Sequence, residues 1–430
     1  MKIFQAGLPS DNPNPNASIG FLCWSPFHYY VYKNIYRYLP EAEFIIGERR
    51  YLNDELEYKN LKNLASFLNE KGVLWRFFDH ALTKRSNRNF FNQYKAVVSA
   101  SSLSRFIQKG FLNDILKIRV LYGNAKDLYN FGIWSADFEL ILTYGPYSQK
   151  FLEIYTLAKI VGNPKFDDWF NGELDGAFLN QVKTKLNPAK KTVLYLPTHD
   201  SQKGMSSLSI LQKADQAILN EYNFILKLHY LTRLEEPRLV EELENAGYII
   251  FDERHDILPL LKTADLILSD NSGAIFDAIL ADKPIVLFET PKEIFERKLF
   301  LTPRGVTGLT TYLHSIEQKI KTPGHEVGPV IAALEDLQSA IKNLGNEKQF
   351  YYSNLKKIRD QVFQYQDGQC GKRAANEIKN LIKNFSSISQ NYPFIYHARK
   401  RESEIARGYQ EKLKTLPFFK KISLLFENFM

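Results

Sequence analysis

Cysteine is nearly absent: Cys23 and Cys370 are the only two, and they stand far apart. No disulfide framework or cysteine zinc site can be built from them, and a reducing cytoplasm is the compartment expected. No run of about 18 apolar residues occurs, so no transmembrane helix is expected. The opening MKIFQAGLPSDNPNPN is polar and rich in proline and asparagine, which is not the pattern of a secretory signal. GxxxxGK[ST], GxSxG and GxGxxG are all missing, so P-loop, hydrolase-elbow and hydride-transfer readings lack their fingerprints. His28, His80, His255, His314, His325 and His397 show no ligand spacing to one another. A protein-bound catalytic metal is therefore not expected, nor a resident cofactor. Zinc-ligand spacing, an RNP-type strand and a sustained basic helix are also lacking, which argues against a nucleic-acid partner.

What is present is an ordinary globular balance on a long chain. The 430 residues are 44% hydrophobic and 24% charged, enough for two or three domains with full cores. The net charge of +8 suits an anionic partner: nucleotide phosphates, an acidic polymer or a membrane surface. The 14% aromatic share serves either large cores or the stacking of sugars and bases.

Along the chain, short apolar runs alternate with helical patterns. Ile19 to Trp24 reads as a buried strand, with Ser25-Pro26 opening a helix over Tyr29 to Leu39. Strands are expected at Glu43–Gly47, Val73–Phe78, Ala96–Ala100, Leu116–Leu121 and Phe138–Thr143. Helices are expected at Asn53–Leu68 and Pro146–Leu157, and the basic stretch Ala81–Tyr94 reads as a loop. After the turn-rich Gly162–Asp167, a second series begins with strands Val193–Leu196, Phe224–Leu228, Tyr248–Phe251, Leu266–Leu268 and Ile285–Phe288. Strand–helix alternation of this kind predicts an α/β fold with two Rossmann-like domains facing a cleft and a helical C-terminal extension. The expected divisions are 1–170, 171–345 and 346–430. The last stretch, Ile395 to Met430, is basic and amphipathic. It fits a helix lying on a membrane surface and equally a helix packed back across the domains.

The most informative segment is Leu261 to Pro291. Its strand runs into the polar turn Ser269-Asp270-Asn271-Ser272-Gly273, and a helix over Ala274–Ala281 follows. A strand feeding a helix through such a turn leaves backbone N–H groups at the helix start, an expected anion site. Ser272 and Gly273 would face a pyrophosphate, though a Ser N-cap alone accounts for Ser272. Asp277 would bond a ribose or simply favour the helix start. Thr198 and His199 follow one strand end and His229 another. All these clusters sit at the carboxyl ends of strands, where ligands of open α/β sheets bind. His229 is the candidate general base or phosphate ligand. In the first half, Gly123, Asn124 and Lys126 form the candidate opposite pole. Lys126 would attract an anionic acceptor or departing phosphate, and an exposed lysine without such a role fits as well.

Several stretches in order, LYLPTHD, LKLHYL, LKTADLILSDNSGAIFDAILADKPIVLFE and DGQCGKRAANEI, resemble the CDP-glycerol glycerophosphotransferase family of teichoic-acid and capsule polymerases. The corresponding positions are Pro197-Thr198, His229-Tyr230, Asp270-Asn271-Ser272-Gly273, Phe276-Asp277, Lys283-Pro284, and Asp367-Gly368 with Arg373. Gly162–Asp167 is similar to that family's Gly-x-Pro-Arg-x-Asp. The resemblance implies a GT-B type fold. It also implies transfer of an alditol phosphate from a CDP-activated donor to a glycan or polyol-phosphate hydroxyl. The place expected from the cysteine usage and the C-terminal segment is the cytoplasm or the inner face of the cytoplasmic membrane. Arg373 joins the candidate anion contacts on that basis alone. The family's first-domain His-Gly-Thr-Pro-x-Lys is replaced here by Tyr122-Gly123-Asn124-Ala125-Lys126, without the His. A GT-B glycosyltransferase using a sugar nucleotide is the alternative, and a non-catalytic glycan-binding scaffold is a third.

Overall fold

The computed structural model describes residues 10–47, 54–78, 89–108, 110–112, 114–124, 130–199, 206–213, 218–270, 272–289, 316–321 and 323–415. Thirteen strands among these residues form two all-parallel sheets. The first has seven strands: β1 (Ile19–Cys23), β2 (Ala42–Gly47), β3 (Trp75–Phe78), β4 (Ala96–Ser99), β5 (Leu116–Val120), β6 (Leu140–Thr143) and β7 (Leu157–Ile160). The second has six: β8 (Lys191–Leu196), β9 (Tyr222–Lys227), β10 (Ile249–Phe251), β11 (Leu266–Ser269), β12 (Ile285–Phe288) and β13 (Val330–Ile331). Their orders are β3-β2-β1-β4-β5-β6-β7 and β10-β9-β8-β11-β12-β13. Each sheet is doubly wound, reversing direction between its first and fourth strands, as the alternating pattern predicts.

The strands are buried on both faces because helices cover both. That is why β11 (LILS) and β12 (IVLF) read as continuous apolar runs without alternation. Two strands escape the sequence reading. The helix expected over Pro146–Leu157 stops at Leu152, and Leu157 opens β7. β13 is only two residues long. Neither carries enough apolar periodicity to declare itself. The basic stretch read as a loop also delivers core. Phe91 is fully buried and packs with Phe78, Phe90 and Phe106; residues 81–88 lie outside the described set. Much of the aromatic share is therefore core.

The C-terminal helices tie the halves together. The Lys348–Val362 helix packs on both the Pro146–Leu152 and Ala274–Leu280 helices. The Cys370–Ile388 helix returns to the first sheet and packs along the Phe27–Tyr36 helix. Its start is held by Asp167, whose carboxylate accepts the Cys370 and Gly371 N–H groups at 2.9 and 2.7 Å. The Phe394–Thr415 helix then lies against the amino edge of the first sheet, with Arg399 Nε 3.1 Å from Asp137 and the Tyr396 hydroxyl 3.2 Å from Glu139. For Ile395 to about Lys400 the packed-back alternative is the one realised. Leu416–Met430 lies outside the described residues, and no described helix is long and apolar enough to cross a membrane.

Candidate functional site

Strand register brings the candidate residues to one level. β8 pairs with β11 so that Leu196 lies opposite Ser269, and with β9 so that Tyr195 lies opposite Leu226. Two or three residues further on, Thr198, His229 and the Ser272-Gly273 turn emerge side by side at the carboxyl edge. β8 and β11 flank the point where the winding reverses, which leaves a crevice between their loops.

A cavity of about 230 Å³ occupies this crevice and is closed by the first half of the molecule. Thr198, His229, Ser272, Gly273 and Asp277 line it from the second sheet. Phe27, Tyr30, Tyr122, Gly123, Asn130 and Lys165 line it from the other side. Five of the expected residues therefore converge, together with Gly123 from the opposite pole.

His229 is the N-cap of a short helix, Tyr230–Glu235, that the sequence reading did not anticipate. Its Nδ1 accepts the Leu231 N–H at 3.3 Å. With Nδ1 used as an acceptor, the proton of the neutral ring resides on Nε2, which makes that atom a hydrogen-bond donor. In this tautomer Nε2 can donate to an anion. The His199 ring stacks on it at 5.2 Å and 21° and is itself held near Thr232 and Glu235. His199 thus supports the His229 ring from behind and is largely buried.

The turn after β11 divides into two roles. Ser269 Oγ donates to the Leu196 carbonyl at 2.7 Å. Asp270 accepts from Thr198 N at 2.8 Å and from Ser207 N and Oγ, both at 2.9 Å. Both residues pin the loop after β8 to the end of β11, so the structure gives them scaffolding contacts. Asn271 lies outside the described residues. Ser272 and Gly273 face the cavity, but the helix behind them is only seven residues long, Ala274–Leu280. The N–H groups expected to be free are occupied here. Ala274 N donates to Ser272 Oγ at 3.3 Å, Ile275 N to Ser272 O, and Phe276 N to Gly273 O. The tight 3₁₀-like start satisfies them internally, so an anion at this turn has to compete for them.

Asp277 is paired with Lys165 at 2.5 Å. Burial raises its carboxyl, while the Lys165 ammonium opposes that rise. Arg373 does not reach the cavity. It pairs with Asp367 at 2.9 Å and lies over the Tyr365 ring at 3.9 Å. Lys126 lies outside the described residues. At the same pole the Asn124 amide is fully buried with neither polar atom hydrogen-bonded among the described residues. That is a costly arrangement.

The sequence reading passed over several cavity residues. Lys227 ends β9, and burial brings its ammonium down to about 8 against the pull of Glu253 and Asp252. Glu253 accepts from Asn63 Nδ2 of the first half at 3.0 Å. Its other oxygen is buried without a hydrogen bond, and burial raises the carboxyl. His255 Nδ1 lies 2.7 Å from Asp252. Asn130 is fixed by the fully buried Arg119, whose guanidinium donates to its carbonyl at 2.7 Å and stacks on Trp134. The available signal was a lysine inside an otherwise apolar strand, FILKLH, and the lysine of Gly-Asn-Pro-Lys-Phe-Asp.

This arrangement, two doubly wound sheets with a cleft at their carboxyl edges, is the GT-B type of transferase architecture. The wall teichoic acid polymerase TagF has the same fold, with TM-score 0.55 at 17% identity over 90% of this chain and 93% of that one. A second TagF structure, soaked with CDPG, gives 0.56 at 17% identity over the same shares. The CDP-glycerol:poly(glycerophosphate) glycerophosphotransferase family matches residues 146–380, more than half of the chain, and the chain belongs to that family. The teichoic acid glycerol-phosphate primase of Bacillus subtilis (strain 168) is 27% identical over 199 residues, 45% of this chain and 44% of that protein. The corresponding primase of Bacillus spizizenii (strain ATCC 23059 / NRRL B-14472 / W23) is 31% identical over 179 residues, 40% and 43%. The chain thus spans less than half the length of these curated relatives.

Proposed function

We propose that the protein transfers an alditol phosphate, of the glycerol- or ribitol-phosphate type, from a CDP-activated donor to a hydroxyl of a cell-surface glycan or polyol-phosphate acceptor. The observation that carries this reading is the convergence of Thr198, His229, Ser272 and Gly273 on one cavity at the reversal point of the second sheet, in a chain of this family. The acceptor oxygen bonds to the phosphorus of the transferred group. The bond from that phosphorus to the bridging oxygen breaks, CMP leaves, and the hydroxyl proton passes to solvent or a base.

Such a transfer depends on positioning and charge more than on proton abstraction, because the transition state is loose. That accommodates the loss of the first-domain His at Tyr122 and the assignment of His229 as a donor through Nε2. Thr198, Ser272 and Gly273 would hold the pyrophosphate, and His229 would stabilise the charge that develops as CMP leaves. The donor is itself the activated substrate. The proposed place of action is the inner face of the cytoplasmic membrane, supported by the basic amphipathic Leu416–Met430 tail.

A donor screen tests the reading. CMP release from CDP-glycerol or CDP-ribitol in the presence of a polyol-phosphate acceptor is the expected result. UDP or CMP release from sugar donors instead would establish the glycosyltransferase alternative, which the missing first-domain His favours. His229→Ala should fold normally and lose about 10²- to 10⁴-fold in turnover. Near-normal turnover of that variant on the true donor would remove His229 from the chemistry.

A further inference from the structure

The donor cavity contains a charge conflict. A carboxylate, Asp277, stands one helical turn beyond Ser272 and Gly273, where an anion is to bind. Its partner Lys165 belongs to the opposite wall. Lys165 sits on the Pro164–Phe166 turn, which packs on the first half: Asn34 Nδ2 donates to the Pro164 carbonyl at 3.0 Å, and Lys165 N donates to Asn163 Oδ1 at 3.2 Å. Both side chains are about nine-tenths buried, and both line the same cavity.

Of the other charged groups that line the cavity, Lys227 and His255 are committed within their own half, whereas Glu253 accepts from Asn63 and Asp256 pairs with Lys33 of the first half. Lys227 donates to the Asp252 carbonyl, and His255 lies against the Asp252 carboxylate. Lys33 bridges Asp168 and Asp256 at 2.6 and 2.9 Å without lining the cavity. Among the lysines that line the cavity, Lys165 is the one paired across it. Its backbone is fixed while four side-chain bonds remain to swing, and its ammonium is a point charge with three donors. Asp277, inside a packed helix, has no such freedom.

We propose that the Lys165–Asp277 pair is a clasp between the two halves that a pyrophosphate opens, Lys165 leaving Asp277 to bind the phosphate oxygens. The inference rests on the donor reading above and adds a phosphate-binding residue to it. In the resting state the clasp neutralises Asp277 and holds the walls together. In the bound state the ammonium is transferred to the ligand, and the carboxyl, already raised by burial, accommodates the loss by taking up a proton.

The test measures binding of CDP, inorganic pyrophosphate and cytidine to the full chain by titration calorimetry. Lys165→Met is expected to weaken CDP and pyrophosphate about tenfold and leave cytidine unchanged, since a charge-assisted hydrogen bond is lost. Lys165→Arg should retain most of the affinity. Asp277→Asn frees the ammonium and should tighten both anions, in the opposite direction to Lys165→Met. The double variant Lys165→Met/Asp277→Asn should bind like Lys165→Met alone. That double variant is also the folding control, because replacing both members of a buried pair by neutral isosteres costs little.

The proposal is overturned if Asp277→Asn weakens the anions as Lys165→Met does, if cytidine loses affinity in parallel, or if the wild-type chain binds neither anion. Failure of the donor reading looks different. CDP-glycerol would not be turned over, yet pyrophosphate binding would still respond to the two variants in opposite directions. Conversely, normal CDP-glycerol turnover by Lys165→Met with unchanged KM would sink the clasp and leave the donor reading standing.

Discussion

Lys227 shows what the cavity asks of a single residue. A lysine at the end of an apolar strand is brought down to about 8 by burial, against an ordinary value of 10.5. Between those two values the unfolded chain binds more protons than the folded one, so stability rises with pH from about 8 to 10.5. Below 8 the buried charge costs stability in full. Lys227→Met, nearly the same shape without the charge, should therefore raise Tm at pH 7, and the gap to wild type should close by about pH 10.5. A scanning-calorimetry series over that range reads both. A variant that is less stable at pH 7 would show that the ammonium's contacts with Asp252 and Glu253 outweigh its burial. A residue kept at such a cost in a cavity wall is a functional candidate. Single-residue reasoning on the sequence found Thr198, His229, Ser272 and Gly273 because they follow strands in polar turns. It passed over Lys227, Glu253 and Tyr30 because each is ordinary in its local run, and only the packing of the second half against the first makes them neighbours.

At the scale of elements, the junction motif Gly162–Asp167 anchors more than a turn. Asp167 caps the Cys370–Ile388 helix from 203 positions away with two backbone hydrogen bonds, and a Cβ on Gly371 would stand 2.1 Å from the Asn34 carbonyl oxygen. Close helix-on-helix approach and the cap therefore depend on each other. Asp167→Ala should cost about 1 to 2 kcal/mol, as the loss of a buried cap does. Asp167→Asn keeps an acceptor and should recover part of it, both read from urea midpoints. Equal stability of Asp167→Ala and wild type would show that the helix start needs no cap. The two ends of this link, Gly-Asn-Pro-Lys-Phe-Asp and Asp-Gly-Gln-Cys-Gly, were each visible in the sequence, whereas their contact was not. The strands of the second sheet were legible because runs such as VLYL and IVLF are bounded by polar turns. β7 and β13 were not, because four mixed residues and two residues carry no period of their own. The helix opened by His229 was hidden for a similar reason: a six-residue helix begins directly at a strand end.

At the scale of the molecule, the chain returns on itself, and that separates two truncations that look alike in sequence. Ala374, Ala375, Ile378 and Leu381 are buried in the core cluster that also holds Phe21, Phe44 and Trp75. Ending the chain after residue 369 would uncover that face, and each large side chain exposed costs about 1.5 to 3 kcal/mol. Such a chain is expected to aggregate or to bind hydrophobic dyes. Ending it after Thr415 is different. Tyr392, Tyr396 and Arg399 keep their contacts with Glu139 and Asp137, and what is removed is LPFFKKISLLFENFM, apolar residues interrupted by Lys420 and Lys421. Tyr392–Arg399 is docked on the first sheet, and the stretch beyond Thr415 is the proposed membrane contact of this end of the chain, where a cationic amphipathic segment gains from both acyl burial and anionic headgroups. Deleting Leu416–Met430 should therefore leave Tm and donor binding unchanged. It should also abolish sedimentation with vesicles containing anionic lipid, an interaction that added salt should weaken in the intact protein. Unchanged vesicle binding by the shortened chain would move the membrane contact to another surface.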